Sequence, residues 1–188
     1  DLASGEIQEM DTGFAIDCNN DHVLSPANTH IAVSHFTYED AVSRIYILPL
    51  DAGSPRLVTE KGPSYLHGWS PDGERLAYCA ERGGQYDIYT ISVNGGPETQ
   101  LTNLPGLDDG PEFTPDGKWI YYNSTRSGRM QVWRMRPDGS GQEQLTFDDF
   151  NNWFPHVSPD GTRVVFITYG PEVAPDDHPW YKRVYLST

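Results

Sequence analysis

Apolar and polar positions alternate in short runs along this chain, and the runs recur on a fixed beat. Counting from Gly73, the third and fifth residues are Leu76 and Tyr78; from Gly117 they are Ile120 and Tyr122. From Gly161 they are Val164 and Phe166, and from Asn28 they are Ile31 and Val33. Alternation with a period of two predicts β-strands. The intervening fourth position lies on the opposite strand face, yet it holds Ala32, Ala77, Tyr121 and Val165. Strands apolar on both faces are expected to be covered on both. No stretch carries a convincing 3.6-residue apolar period, so no helix is expected.

Three landmarks share the beat. The Ser/Thr-Pro pairs place Pro71, Pro115 and Pro159 at intervals of 44 residues, with a weaker copy at Pro26, 45 residues earlier. Ile45-Tyr46, Ile88-Tyr89, Val132-Trp133 and Val184-Tyr185 mark a second strand, and Leu57, Leu101 and Leu145 a third position, again 44 apart. A period of roughly 40–50 residues belongs to propellers, solenoids or arrays.

The chemistry of "SPDG" explains how each unit begins. Proline presets φ for a type I turn, Asp bonds back to nearby backbone, and Gly takes the left-handed position that closes a hairpin. Asn28 replaces that Gly in the first copy and is the side chain that best tolerates the same conformation. Each unit then reads as four antiparallel strands, a to d, joined by hairpins. Such four-stranded sheets stacked around an axis make an all-β fold, a β-propeller. The expected layout is a single domain over 1–188: a d-type strand over 1–13, then blades over 14–60, 61–103, 104–147 and 148–188, the last lacking its d strand. Two architectures fit: a ring closed with four blades by the N-terminal strand, or a segment of a longer, six-bladed propeller. The chain opens on Asp rather than Met, as a processed or trimmed chain would.

Charge narrows the partners. Asp and Glu number 27 against 13 Lys and Arg, a net charge of −14. Phosphate backbones call for basic stripes, and none is visible, so nucleic acid and anionic membrane surfaces are poor partners. No run is long and apolar enough to insert in a membrane, and no leader peptide is recognisable. A soluble chain, periplasmic or cytoplasmic, is expected. Cys79, inside a b strand, reads as a buried filler. Cys18 reads as a loop residue, and a Cys18–Cys79 disulfide has no spacing signature to support it.

The repeat in "GWSPDGERLAYCAERGGQYDIYTIS" (68–92), echoed from Phe113 and Val157, resembles the TolB-type propeller repeat, a cousin of the WD-repeat, over nearly the whole chain. The resemblance implies a propeller, usually six-bladed in that family. The family's members include periplasmic protein-binding scaffolds, stand-alone propellers, substrate-filtering propellers of prolyl-oligopeptidase-like enzymes and metal-dependent oligogalacturonate lyases. It therefore implies a fold more firmly than a function.

Strand alternation sends the a–b and c–d turns to one face and the d-to-a connections and b–c loops to the other. The stretches "CNNDH", "PSYLH", "GLDDGPE" and "FNNWFPH" read as d-to-a connections. They are expected to bring Asn20, Asp21, His22, Tyr65, His67, Asp109, Glu112, Trp153 and His156 to a central mouth. The fourth b–c loop lies on the same face: Ile167 and Val184 are 17 residues apart, against 9 for Cys79 and Ile88. The insertion adds Asp177, His178 and Trp180. Function concentrates in such loops on rigid scaffolds. Trp153 and Trp180 fall outside the strand registers and are the candidates for stacking on a ligand, whereas Trp69, Trp119 and Trp133 sit at repeat positions and read as packing.

No GxSxG, HExxH or CxxC pattern occurs, so no catalytic residue is assigned. Four histidines, His22, His67, His156 and His178, are candidates to hold a divalent cation such as Ca, Mn or Zn with nearby carboxylates. The favoured reading is a non-enzymatic scaffold that binds a protein, small-molecule or carbohydrate ligand at the central mouth. The alternatives are a metal-dependent carbohydrate-active enzyme and a filtering domain of a larger peptidase.

Overall fold

The computed structural model describes residues 5, 7, 9–51, 53–179 and 184–187. Its described residues are all-β, with no helix. They form four antiparallel sheets that follow one another around a common axis as the blades of a propeller. The first sheet holds β1 (Cys18–Leu24), β2 (His30–Phe36), β3 (Ser43–Pro49) and β4 (Arg56–Leu57). The second holds β5 (Ser64–Trp69), β6 (Arg75–Arg82), β7 (Gln85–Ser92) and β8 (Thr99–Gln100). The third holds β9 (Asp108–Phe113), β10 (Ile120–Ser124), β11 (Gln131–Met135) and β12 (Glu143–Gln144). The fourth holds β13 (Asn151–Val157), β14 (Val164–Tyr169) and β15 (Val184–Ser187). Every pairing joins sequence neighbours in simple meander order. Of the d-type strand expected over 1–13, residues 1–4, 6 and 8 lie outside the described set, and the described residues 5, 7 and 9–13 form no strand.

The turn motif behaves as its composition dictates. Gly73, Gly117 and Gly161 have φ of +77°, +69° and +69°, and Asn28 adopts +53°. Each donates its N–H to the carbonyl of the Ser or Thr that opens the turn, at 2.8–2.9 Å. The turn Asp does a second job: Asp72 accepts the Ser70 hydroxyl at 2.5 Å and the Glu74 N–H at 3.0 Å. Asp116 and Asp160 repeat this with Thr114 and Ser158. The Leu-Thr marker also has a structural reason. The fourth strands are only two residues long, and the Thr beyond each accepts an N–H from the third strand through its hydroxyl. Thr59 bonds Ile45, Thr102 bonds Ile88 and Thr146 bonds Val132, each at 2.9 Å.

The double-faced strands fill the spaces between blades. Ala32 of β2 meets Leu76 and Tyr78 of β6 in one core cluster, while Ala77, on the other face of β6, meets Ile120 and Tyr122 of β10 in the next. Third and fifth positions thus pack towards the preceding blade and fourth positions towards the following one. Small alanine opposite a large aromatic lets neighbouring sheets interdigitate. The pattern loosens in the fourth sheet, where Val164, Val165 and Phe166 are only half-buried.

The repeat-position tryptophans are packing residues, as expected. Trp69 donates its indole N–H to the Val23 carbonyl at 3.1 Å across the first interface. Trp119 lies beneath the guanidinium groups of Arg134 and Arg136, and Trp133 beneath Arg126. Both cysteines are free thiols: Cys79 is buried, and Cys18 stands exposed at the start of β1 rather than in a loop. Among the described residues no helix is long and apolar enough to cross a membrane.

Candidate functional site

The stretches expected to be connections are instead the inner strands themselves. "CNNDH" opens β1, "SYLHGW" is β5, "DDGPEF" is β9 and "NNWFPHV" is β13. Each breaks register with its neighbour near the axis. The irregularities fall between Cys18 and His22, Leu66 and Gly68, Asp109 and Glu112, and Trp153 and His156. A bulge re-aims side chains and interrupts pairing locally. Here the irregular steps of β1 and β5 bring Asp21 and His67 into one space, and those of β9 and β13 bring Asp109, beside the step, and the Phe154 ring to it. Gly110 in β9 takes φ +63°, and Phe154, one repeat later, takes +53°. The backbone N–H of Phe154 is held by the buried Asn123 side-chain oxygen at 2.9 Å.

The bulges converge on an open cavity of about 520 Å³ that receives side chains from all four sheets. Asp21 comes from β1, Tyr65 and His67 from β5, Asp109 from β9 and Phe154 from β13; Asp176 and His178 reach in from the long loop after β14. Asn19, Cys79, Tyr86 and Leu107 complete the wall.

At its centre, His67 Nε2 lies 3.0 Å from Asp109 Oδ1, with both side chains largely buried. Burial alone favours neutral imidazole, but the Asp109 carboxylate, its hydrogen bond and the more distant Asp21 outweigh it and raise the His67 pKa above its usual value. Burial likewise works against the Asp109 charge. The His67 charge and hydrogen bonds from His67, the Gly110 N–H and Cys79 overcome it, so Asp109 titrates below the ordinary carboxylate range. Asp21 differs. Burial pushes its carboxyl up, with Asp109 adding to the rise and His67 only partly offsetting it. Its Oδ2 accepts from the Asn19 amide at 2.8 Å. Tyr65 is pushed up to about 12 by burial and by Tyr86 beside it, and burial raises the Cys79 thiol well above its usual value. Cys79 is therefore an uncharged wall, unsuited to nucleophilic work.

Aromatic rings close the remaining sides. Phe154 stacks on His67 with centroids 5.7 Å apart, and the His178 ring meets Phe154 edge-on at 5.5 Å. Tyr65 and Tyr86 lie 6.4 Å apart.

Asp21, Tyr65, His67, Asp109 and His178 are thus brought together as the sequence placed them, and several others are not. Trp153 is fully buried in β13, in register with Ile167 and packed against His178, so it cannot stack on a ligand. Glu112 and His156 pair with each other between the third and fourth sheets, outside the cavity lining, and Glu112 also accepts the Val157 N–H. His22 is exposed beyond the bulge, and Asp177 is exposed while its neighbour Asp176 lines the space. Asn20 lies on β1, and Trp180 lies outside the described residues. Of the four histidines only His67 and His178 line the cavity. Among the described residues no three His, Cys, Asp or Glu side chains are grouped to hold a metal ion. Asn19, Cys79, Tyr86, Leu107 and Phe154 were missed; only Phe154 had a sequence signal, a bulky residue 44 positions after Gly110.

Residues 13–174 match the family model of the PD40, TolB beta propeller domain. The chain belongs to the TolB β-propeller family. Within this TolB-like group it is 49% identical over 172 residues to an uncharacterised protein, Atu1656, of Agrobacterium fabrum, covering 92% of this chain and 58% of that relative. A solved structure of a protein assigned to TolB from Agrobacterium tumefaciens superposes with a TM-score of 0.90 at 48% identity, covering 95% of this chain and 64% of the other. The Tol-Pal system protein TolB of Alkalilimnicola ehrlichii is 35% identical over 71 residues, 37% of this chain and 17% of its own length. This TolB-like chain therefore spans about three-fifths of the length of the relatives it resembles along most of its sequence.

Proposed function

We propose that this propeller is a non-enzymatic scaffold that seats a segment of a partner polypeptide in its axial cavity. One observation carries the reading: four separate blades and a long loop all deliver polar and aromatic side chains to a single open space of about 520 Å³. Such a volume falls in the range of roughly 300–1,000 Å³ typical of ligand pockets. The opposite face is made of stereotyped turns whose polar groups bond to one another, and its cavity of about 600 Å³ is lined by the first two blades alone. Membership of a family that includes Tol-Pal system proteins favours a polypeptide over a sugar as the occupant.

Selection of random displayed peptides on the immobilised chain tests this. Selected peptides should lose roughly tenfold or more in affinity when Tyr86 is replaced by Ala. They should keep their affinity when Lys118, on the turn face, is replaced by Ala. Peptides indifferent to the Tyr86 substitution would overturn the reading.

A further inference from the structure

We propose that the axial cavity selects a basic side chain of its polypeptide partner, a guanidinium or ammonium group on an apolar stem; this rests on the binding role above. Three carboxylates, Asp21, Asp109 and Asp176, line the same space. Asp109 is committed to His67 and to the Gly110 N–H at 2.7 Å. Asp21 is not committed. It feels the charges of His67 and His178 but forms no ion pair with either among the described residues; Asn19 holds its Oδ2, and its Oδ1 has no hydrogen bond there. Asp21 thus lines the cavity with one carboxylate oxygen that has no hydrogen-bond partner among the described residues.

The walls suit the rest of such a ligand. Tyr65 and Tyr86 offer neighbouring ring faces, and Phe154 presents an aromatic ring fixed by its stack on His67. Flat cations stack on such faces, guanidinium most readily because it is planar and weakly hydrated. A lone metal ion would need ligands grouped around a point, and the described residues are not arranged so. The cavity also exceeds what one side chain fills, leaving room for the flanking backbone. A net charge of −14 draws basic segments towards the surface from a distance.

The test uses the whole chain and labelled pentapeptides, Gly-Gly-Arg-Gly-Gly and its citrulline counterpart, followed by fluorescence anisotropy. Citrulline keeps the shape of arginine and removes its charge. The arginine peptide should bind at least roughly tenfold more tightly, more weakly as salt rises, and Asp21→Asn should remove most of that advantage without changing citrulline binding. Asp176→Asn, at an exposed position, should lower the preference in the same direction and carries no folding risk. Equal binding of the two peptides overturns the proposal. Free agmatine, which carries the same guanidinium on an apolar stem, should compete with the arginine peptide, and a failure to compete counts against the proposal. Display-selected peptides that depend on Tyr86 but lack any basic residue sink this inference and leave the scaffold role standing. Peptides indifferent to Tyr86 remove both.

Discussion

Phe154 lies almost parallel to the imidazole of His67, the ring planes inclined by 19° and the centroids 5.7 Å apart. The backbone beneath that ring is at φ +53°, in the left-handed region that disfavours a side chain. Strain of this kind persists where the surroundings over-determine it, and here the Asn123 side chain holds the Phe154 N–H at 2.9 Å. Replacing Phe154 by Gly removes the ring and the strain together, whereas Ala removes the ring alone. Phe154→Gly should therefore be more stable than Phe154→Ala by about 1 kcal/mol in urea unfolding. The reverse order would show that the backbone there is unstrained.

Two glycines with similar φ, +69° at Gly117 and +63° at Gly110, should respond differently. A Cβ at Gly117 would meet nothing closer than Pro71, at 3.8 Å, so alanine there adds only backbone strain of about 1 kcal/mol. A Cβ at Gly110 would lie 2.6 Å from the Asn123 side-chain oxygen and 3.1 Å from the Phe154 ring. Gly110→Ala should lower the melting temperature clearly more than Gly117→Ala and weaken peptide binding as well. Equal shifts would place the bulge glycine outside the architecture of the mouth.

The His67–Asp109 pair ties stability to pH. A histidine whose pKa is raised on folding stabilises the fold fully below its unfolded value near 6.5, and that contribution is lost as pH climbs through the higher folded value. Asp109 contributes in the opposite sense: its stabilisation is present above its unfolded value near 3.8 and lost as pH falls through the lowered folded one. The melting temperature should decline above about pH 6.5 in the native chain, and His67→Asn should flatten that decline. A native profile that stays level from pH 6 to 9 would contradict the pairing.

Asp21 predicts a trade-off. Its folded pKa is raised, so the folded state disfavours its charge and loses stability as pH rises past the ordinary carboxylate value. Asp21→Asn should leave the melting temperature at pH 7 unchanged or higher while impairing recognition of a basic ligand. A group kept against the interest of stability is characteristic of a binding site. A lowered melting temperature would make Asp21 a structural residue.

Deep in the third blade, Asp108 and Arg126 form an ion pair at 2.7 Å with side chains 0% and 8% exposed. Arg126→Met leaves a buried carboxylate without its partner, at a cost of roughly 3–5 kcal/mol. Asp108→Asn, which keeps a hydrogen-bonding group beside Arg126, should cost distinctly less. Chemical denaturation of the two variants decides the order.

The blade plan was legible because it is written in the period-two apolar pattern and in turn residues whose conformations few other residues accept. Asn28 at φ +53° shows how literally that code reads. The mouth was only half legible. Asp21, His67 and Asp109 line the cavity because inner strands must approach the axis. The bulges were not anticipated, and a shift of one residue turns a side chain to the opposite face. That is why Glu112 and His156 pair between blades and Trp153 is buried when all three were expected at the mouth. Cys79 and Tyr86 come from second and third strands, whose repeat positions read as packing.

The four bulges separate two duties along each inner strand. Below them, regular pairing holds the stacked sheets; at them, the backbone is released from its ladder and side chains face the axis. Substitutions confined to these short irregular steps can exchange the chemistry of the opening while the interdigitated layers beneath stay unaltered. An architecture of this kind can acquire new specificities without refolding.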